Sequence, residues 1–104
     1  MAEPSPVKLA VQRAARRMEA ELRAGDLDAA RAQLSPEFAE RDNELGELLE
    51  RTDTCELIGT VATRTLLHLH LRDGDDRVVE LLWHQHDGEW QVLDCRVFSL
   101  IPGE

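Results

Sequence analysis

The chain lacks any apolar run long enough for a membrane span or the core of a secretory signal. Its start, Met-Ala-Glu-Pro-Ser-Pro, passes directly into an arginine-rich amphipathic segment. A cytoplasmic protein with no membrane partner is expected. Cysteine is scarce: Cys55 and Cys95 are the only two, and they do not form a Cys-x-x-Cys pair. Zinc and redox motifs therefore have no support, and a reducing compartment would keep both as buried thiols. Positive charge is also in short supply, with 12 Lys and Arg against 21 Asp and Glu and a formal net charge of −9. Such a body repels phosphate backbones, so no nucleic-acid partner is expected. A Ser-His-Asp order, a glycine-rich phosphate loop and a His-Glu-x-x-His sequence are all missing, which removes the basis for nucleophilic hydrolysis, nucleotide binding and metalloprotease chemistry. No cofactor is called for.

The 104 residues suffice for one hydrophobic core, so residues 1–104 are read as a single domain. The charge is unevenly spread. Lys8, Arg13, Arg16, Arg17 and Arg23 face only Glu3, Glu19 and Glu21 in the first 25 residues, and the acidic excess lies beyond them. The arginine side of this segment reads most simply as a solvated face. Ser5-Pro6 is a helix start, in which the serine caps free N–H groups and the proline presets φ. Val7, Val11, Ala14, Met18 and Leu22 then make one apolar stripe on a helix ending near Gly25. Asp26 can cap a short second helix with Leu27, Ala30 and Leu34 on one side, and Ser35-Pro36 restarts the chain. Phe38, Leu45, Leu48 and Leu49 fit a helical face from Pro36 to about Arg51, as one helix or, with Gly46 inside it, two.

After Asp53 the apolar period changes to two, from Cys55 to Leu71, which is strand character. A segment of that length must bend or break; a long bent strand is expected, and Gly59 is the natural place for a bulge. Asp73-Gly74-Asp75-Asp76 and Asp87-Gly88 read as hairpin turns, since Asp-Gly supplies positive φ angles. Three strands result, ending in Val61–Arg72, Arg77–His86 and Glu89–Leu100, with Pro102 and Gly103 closing the ordered chain. The fold class is α+β, with N-terminal helices packed on a curved antiparallel meander sheet.

Two stretches carry a family resemblance. Leu22-Arg23-Ala24-Gly25-Asp26-Leu27-Asp28-Ala29-Ala30 followed by Leu34-Ser35-Pro36-Glu37-Phe38 resembles the helical opening of the SnoaL-like branch of the nuclear transport factor 2-like superfamily. Asp87-Gly88-Glu89-Trp90-Gln91-Val92 resembles its last hairpin. The resemblance implies a cone-like fold whose curved sheet wraps the helices, often dimeric through the sheet, with roles from isomerases and cyclases to non-catalytic binding domains. The family usually has a short strand and a further helix between the Phe of the first stretch and the long strands. This chain is more compact there, which puts a deep lidded pocket in doubt.

Pairing the strands as two-residue hairpins sets His70 opposite Val79, Glu80 opposite Cys95 and Leu81 opposite Asp94. Glu80 then joins Leu69 and Cys95 on the helix-facing side, where lost solvation would fit it for proton transfer with His84 assisting. The same register puts His68 and His70 on the face opposite His84 and His86, so the four histidines cannot converge and no metal site is expected. Arg64, His68, Trp83, Trp90, Arg96 and Phe98 share the other face, whose mixture of charge and large amphipathic side chains suits a protein interface. Two functions are compatible with these features. The first is a small binding or accessory domain without catalysis that forms a homodimer through the sheet face. The second is a cofactor-independent isomerase or cyclase acting on an apolar small molecule through Glu80. A cavity beside Glu80 separates them.

Overall fold

The computed structural model describes residues 6–41 and 44–99, so the Ser5 cap, Leu100 and the Pro102-Gly103 terminus lie outside the described residues. Helix α1 (Pro6–Arg23) buries Val11, Ala15, Met18 and Leu22 at helical spacing. The stripe differs at its start: Val7 is exposed, and Ala15 is the fully buried alanine in place of Ala14. At the C-terminus Gly25 adopts φ +76°, and the N–H groups of Gly25 and Asp26 return to the carbonyls of Leu22 and Glu21. That left-handed closure satisfies carbonyls the helix leaves open, and it needs a residue without Cβ.

The expected caps form. Asp26 accepts from the Ala29 N–H at 3.2 Å to start α2 (Leu27–Arg31), and the Ser35 hydroxyl accepts from the Phe38 N–H at 3.1 Å at the head of α3 (Pro36–Arg41). Helix α4 (Glu44–Arg51) follows, so the segment from Pro36 to Arg51 is two helices and Gly46 lies within the second.

The sheet has four antiparallel strands in the order β1-β2-β3-β4: β1 (Thr52–Val61), β2 (Arg64–Leu71), β3 (Asp76–His86) and β4 (Glu89–Ser99). The long bent strand of the sequence reading is thus two strands. Val61 pairs with Arg64 across the two-residue turn Ala62-Thr63, where Ala62 takes φ 53°. An alanine in that conformation costs about 1 kcal/mol, and nothing in its identity marks a turn. The bulge expected at Gly59 is present as a register shift between Leu57 and Gly59. Asp87-Gly88 is the expected two-residue hairpin, both residues at positive φ between paired His86 and Glu89.

One sheet face meets the helices. Leu67, Leu69, Leu71, Val79, Leu81, Trp83 and Val92 pack against the α1 stripe and against Leu45, Leu48 and Leu49 of α4 in one core. Within it the Trp83 indole N–H donates to the Thr65 hydroxyl at 2.9 Å, so the one polar atom of the ring is satisfied.

The helical half of the chain reaches both sheet edges. On β1 the Leu57 N–H donates to the Glu19 carboxylate at 2.6 Å, and Arg23 Nε donates to the Cys55 carbonyl at 2.9 Å. Arg16 holds the other Glu19 oxygen at 3.3 Å, so the buried carboxylate is itself paired. On β4 the Val92 N–H donates to the Gln33 carbonyl at 2.8 Å, the Ser35 N–H donates to the Val92 carbonyl at 2.9 Å, and Arg41 reaches the Leu93 carbonyl at 3.2 Å. These contacts occupy the middle of β1 and the first half of β4, where they compete with pairing by another chain. Glu19→Ala strips the Leu57 N–H of its acceptor, and urea unfolding is expected to show a loss of about 2 kcal/mol, against roughly half that for Glu19→Gln, which keeps an acceptor oxygen. Equal losses in the two variants would show that the carboxylate charge, and not the hydrogen bond, is what the edge needs.

Candidate functional site

The face of the sheet turned away from the helices is uncovered among the described residues, and its side chains fall into four rows set by register. Across β1 to β4 the rows are Val61, Arg64, Leu82 and Asp94; then Gly59, Leu66, Glu80 and Arg96; then Glu56, His68, Val78 and Phe98; and last Thr54, His70 and Asp76. Leu66, Val78 and Leu82 are half-buried in the middle, and Phe98, Ile58 and Val61 are 45, 55 and 75% exposed. Charge alternates with this apolar surface. Arg64 pairs with Glu80 across the strands at 3.1 Å, and Asp76 receives His70 at 2.6 Å and His68 at 3.1 Å.

Arg64, His68, Arg96 and Phe98 therefore lie on the open face where the alternation placed them. Trp83 and Trp90 do not. Trp83 is buried in the core at 2% exposure, and Trp90 packs half-buried against that core from the β3–β4 turn. Glu80 changes sides in the opposite sense, sitting on the open face beside Arg64 and away from Leu69 and Cys95. The cause is the Asp73–Asp76 turn. His70 pairs with Asp76 and not Val79, a shift of three residues, because Leu71 to Asp75 form a longer loop closed by Gly74 N–H to Leu71 carbonyl and Leu71 N–H to Asp75 carbonyl bonds. An odd shift turns every side chain of β3 to the other face. Four consecutive turn-forming residues were the available warning, since a minimal hairpin needs only two.

A second irregularity, between Leu82 and Trp83, moves the β3–β4 pairing by one residue, so Leu81 faces Cys95 and Glu80 faces Arg96. The helix-facing placement of Glu80 is thus corrected twice over. The depression it lines, with Arg64, Leu82, Asp94, Cys95 and Arg96, holds about 60 Å³. Small-molecule sites run to about 300 Å³ and more, so proton transfer by Glu80 on an enclosed substrate has no space here. Its expected assistant His84 is exposed and stands opposite Gln91, beyond Arg64, the first residue of β2. By parity His84 and His86 share the face of His68 and His70, and not the opposite one. What separates the pairs is length: Val78, the partner of His68, is six residues from His84, about 20 Å of strand.

A larger groove, of about 520 Å³, lies between α1, the end of α2 and the β3–β4 turn. Alanines 10, 14, 29 and 32 form its floor, Trp90 and Gln91 one wall, and Arg13 and Arg17 the other. Gln33 at its base donates to the Glu21 carboxylate, which also faces Arg17 at 3.5 Å. Sequence pattern alone could not bring these segments together, because the turn reaches α1 only after the sheet has folded over it.

Two groups are moved from their ordinary ionisation. Burial, reinforced by the nearby Glu19 carboxylate and only partly opposed by Arg23, pushes the Cys55 thiol from 9.0 up to about 11. Asp73 is held below the usual carboxylate range, first by the Asp75 N–H at 3.0 Å and then by Arg51. Comparison with known proteins finds no family model, curated protein or solved structure that matches the chain.

The thiol shift has a consequence for stability. Cys55 keeps its proton in the folded chain to about pH 11, whereas the unfolded thiol ionises near 9, so the folded state loses stability as pH rises from 9 to 11. The drop is on the order of 2 to 3 kcal/mol. The chain has no tyrosine and Lys8 is its one lysine, which leaves few other groups to titrate in that window. Denaturant unfolding at pH 8.5 and 10.5 is expected to show the drop in the native chain and a flatter profile in Cys55→Ala.

Proposed function

We propose that this chain is a small binding or accessory domain of the nuclear transport factor 2-like type, SnoaL-like in its helical opening, which forms a homodimer through the open sheet face and carries out no catalysis. The family reading is supported by element order, with capped helices ahead of a bulged antiparallel meander. Between Phe38 and the sheet the described residues hold one helix, α4, and no strand, in keeping with a compact variant of that plan.

The observation that carries the dimer is the charge balance at one end of the open face, in the two rows that hold Leu66 and Leu82. Around Leu66 and Leu82 stand two arginines, Arg64 and Arg96, and two carboxylates, Glu80 and Asp94, on a chain whose net charge is −9. The acidic surface beyond α1 repels a second copy, whereas this patch does not. Each charge also has an opposite charge within the patch to exchange with across a two-fold axis. Four strands by about eight residues span roughly 19 by 27 Å, on the order of 500 to 700 Å² with side-chain relief, close to what each partner contributes to a stable interface. Cytoplasmic localisation belongs to the same proposal. It accords with two free cysteines and with the finding that no described helix is long and apolar enough to cross a membrane.

The isomerase or cyclase reading loses the enclosed carboxylate on which it stood. The helix–hairpin groove remains a place for a small ligand, and its two arginines favour one with an anionic end over a purely apolar one. Sedimentation equilibrium at 5 to 100 µM is expected to give about twice the 11.8 kDa chain mass. Phe98→Asp should return the mass to one chain with unchanged far-ultraviolet circular dichroism, because Phe98 is exposed and outside the core. A native chain of one-chain mass throughout that range would end the dimer proposal.

A further inference from the structure

His68, His70 and Asp76 meet at the end of the open face, next to the β2–β3 turn, and their ligand atoms all lie within 4.8 Å of one another. We propose that they form a binding site for a divalent first-row transition metal, with His68 Nε2, His70 Nδ1 and one Asp76 carboxylate oxygen as ligands. The site does not depend on self-association, because all three donors belong to one chain.

The backbone explains the convergence. His68 and His70 are two apart on β2 and so point the same way, and Asp76 is the register partner of His70 on β3. Asp76 is the first residue of its strand, anchored by an Arg77 guanidinium bond to its carbonyl at 2.9 Å, while Arg77 also holds Asp75 at 3.2 Å. The Asp76 backbone is thus anchored, and its carboxylate already faces both imidazoles.

Distances match the chemistry. Zinc–nitrogen and zinc–oxygen bonds of about 2.05 Å in a tetrahedron put neighbouring donor atoms roughly 3.3 Å apart. Here His68 Nε2 and His70 Nδ1 stand 3.1 and 2.6 Å from the same Asp76 oxygen, and the imidazole centroids are 4.1 Å apart. Seating a metal among these atoms requires the His70 Nδ1–Asp76 distance to open by under about 1 Å. Two imidazoles and one carboxylate suit zinc, cobalt, nickel or ferrous iron, and a site with this few oxygens suits calcium and magnesium poorly.

A fourth position is supplied from the neighbouring strand. Glu56 is the β1 partner of His68, its Cβ within about 5 Å by strand geometry. Its side chain forms no ion pair among the described residues. Glu56 can swing onto the ion or leave that position to water, so its removal should weaken binding less than removal of any of the three.

The test is titration of the metal-free full chain with Zn²⁺ by calorimetry and with Co²⁺ by visible absorption. One ion per chain is expected, with a Kd at or below about 10 µM and Co²⁺ bands of four- or five-coordinate intensity that Zn²⁺ displaces. His70→Ala and Asp76→Asn should each weaken Zn²⁺ at least tenfold, Glu56→Gln less than that, and His86→Ala not at all. All four side chains are outside the core, so circular dichroism should be unaltered. A Zn²⁺ Kd weaker than about 1 mM, equal binding by the native chain and His70→Ala, or loss of binding in His86→Ala would overturn the site. The Phe98→Asp chain should bind Zn²⁺ as the native chain does, so failure of the dimer leaves this result readable.

Discussion

The fold depends on the hydrogen-bonding needs of two strand edges. A four-stranded open sheet leaves one row of backbone groups unpaired on β1 and another on β4, and either row can recruit a foreign strand. Here the helical half of the chain satisfies part of each row. Glu19 and Arg23 reach Leu57 and Cys55 on one side, and the Gln33–Ser35 segment and Arg41 reach Val92 and Leu93 on the other. Neither β1 nor β4 contains an interior proline or a run of lysines to blunt its edge, so the protection comes from tertiary contact. The same contacts fix α1 over the core face, and burial of its apolar stripe then orders the rest of the interior.

Helix placement determines where recognition can take place. The surfaces that the helices leave uncovered are the outer sheet face, with charges of both signs, and the groove where the β3–β4 turn meets α1. The outer face mixes apolar side chains with charges of both signs, whereas the rest of the chain beyond the arginine-rich α1 is predominantly acidic. The buried Glu19 also links the edge to the interior. Its carboxylate raises the Cys55 thiol, whose own S–H points to the Glu19 carbonyl at 3.7 Å. Keeping that thiol neutral suits a purely structural cysteine.

Much of this was legible in the sequence. The α1 stripe, the caps at Asp26 and Ser35, the bulge at Gly59, the Asp87-Gly88 hairpin and the α+β order all follow from local chemistry: apolar period, side-chain oxygens ahead of a helix, and residues that tolerate positive φ. Each involves groups only a few residues apart, so the sequence states them directly. Ala62-Thr63 was missed for the same reason in reverse. Its turn is imposed by the pairing of β1 with β2, and neither residue carries a local signal for it.

The tertiary structure alone decided the sides of β3. A loop between His70 and Asp76 three residues out from the minimal hairpin, and a single-residue slip at Leu82, carried Trp83 into the core and Glu80 out to Arg64, against a local pattern that fits either arrangement. The run from Val78 to Trp83 is apolar at every position but Glu80, so alternation within it cannot name the inner face. The physical reason is that strand parity has a period of two, and a one-residue difference in a turn inverts it, while the energy that selects between the inversions comes from burial against helices more than fifty residues away. The sequence determined which elements exist and in what order. Which side chains meet, and therefore what the surface can recognise, was settled only when the sheet packed.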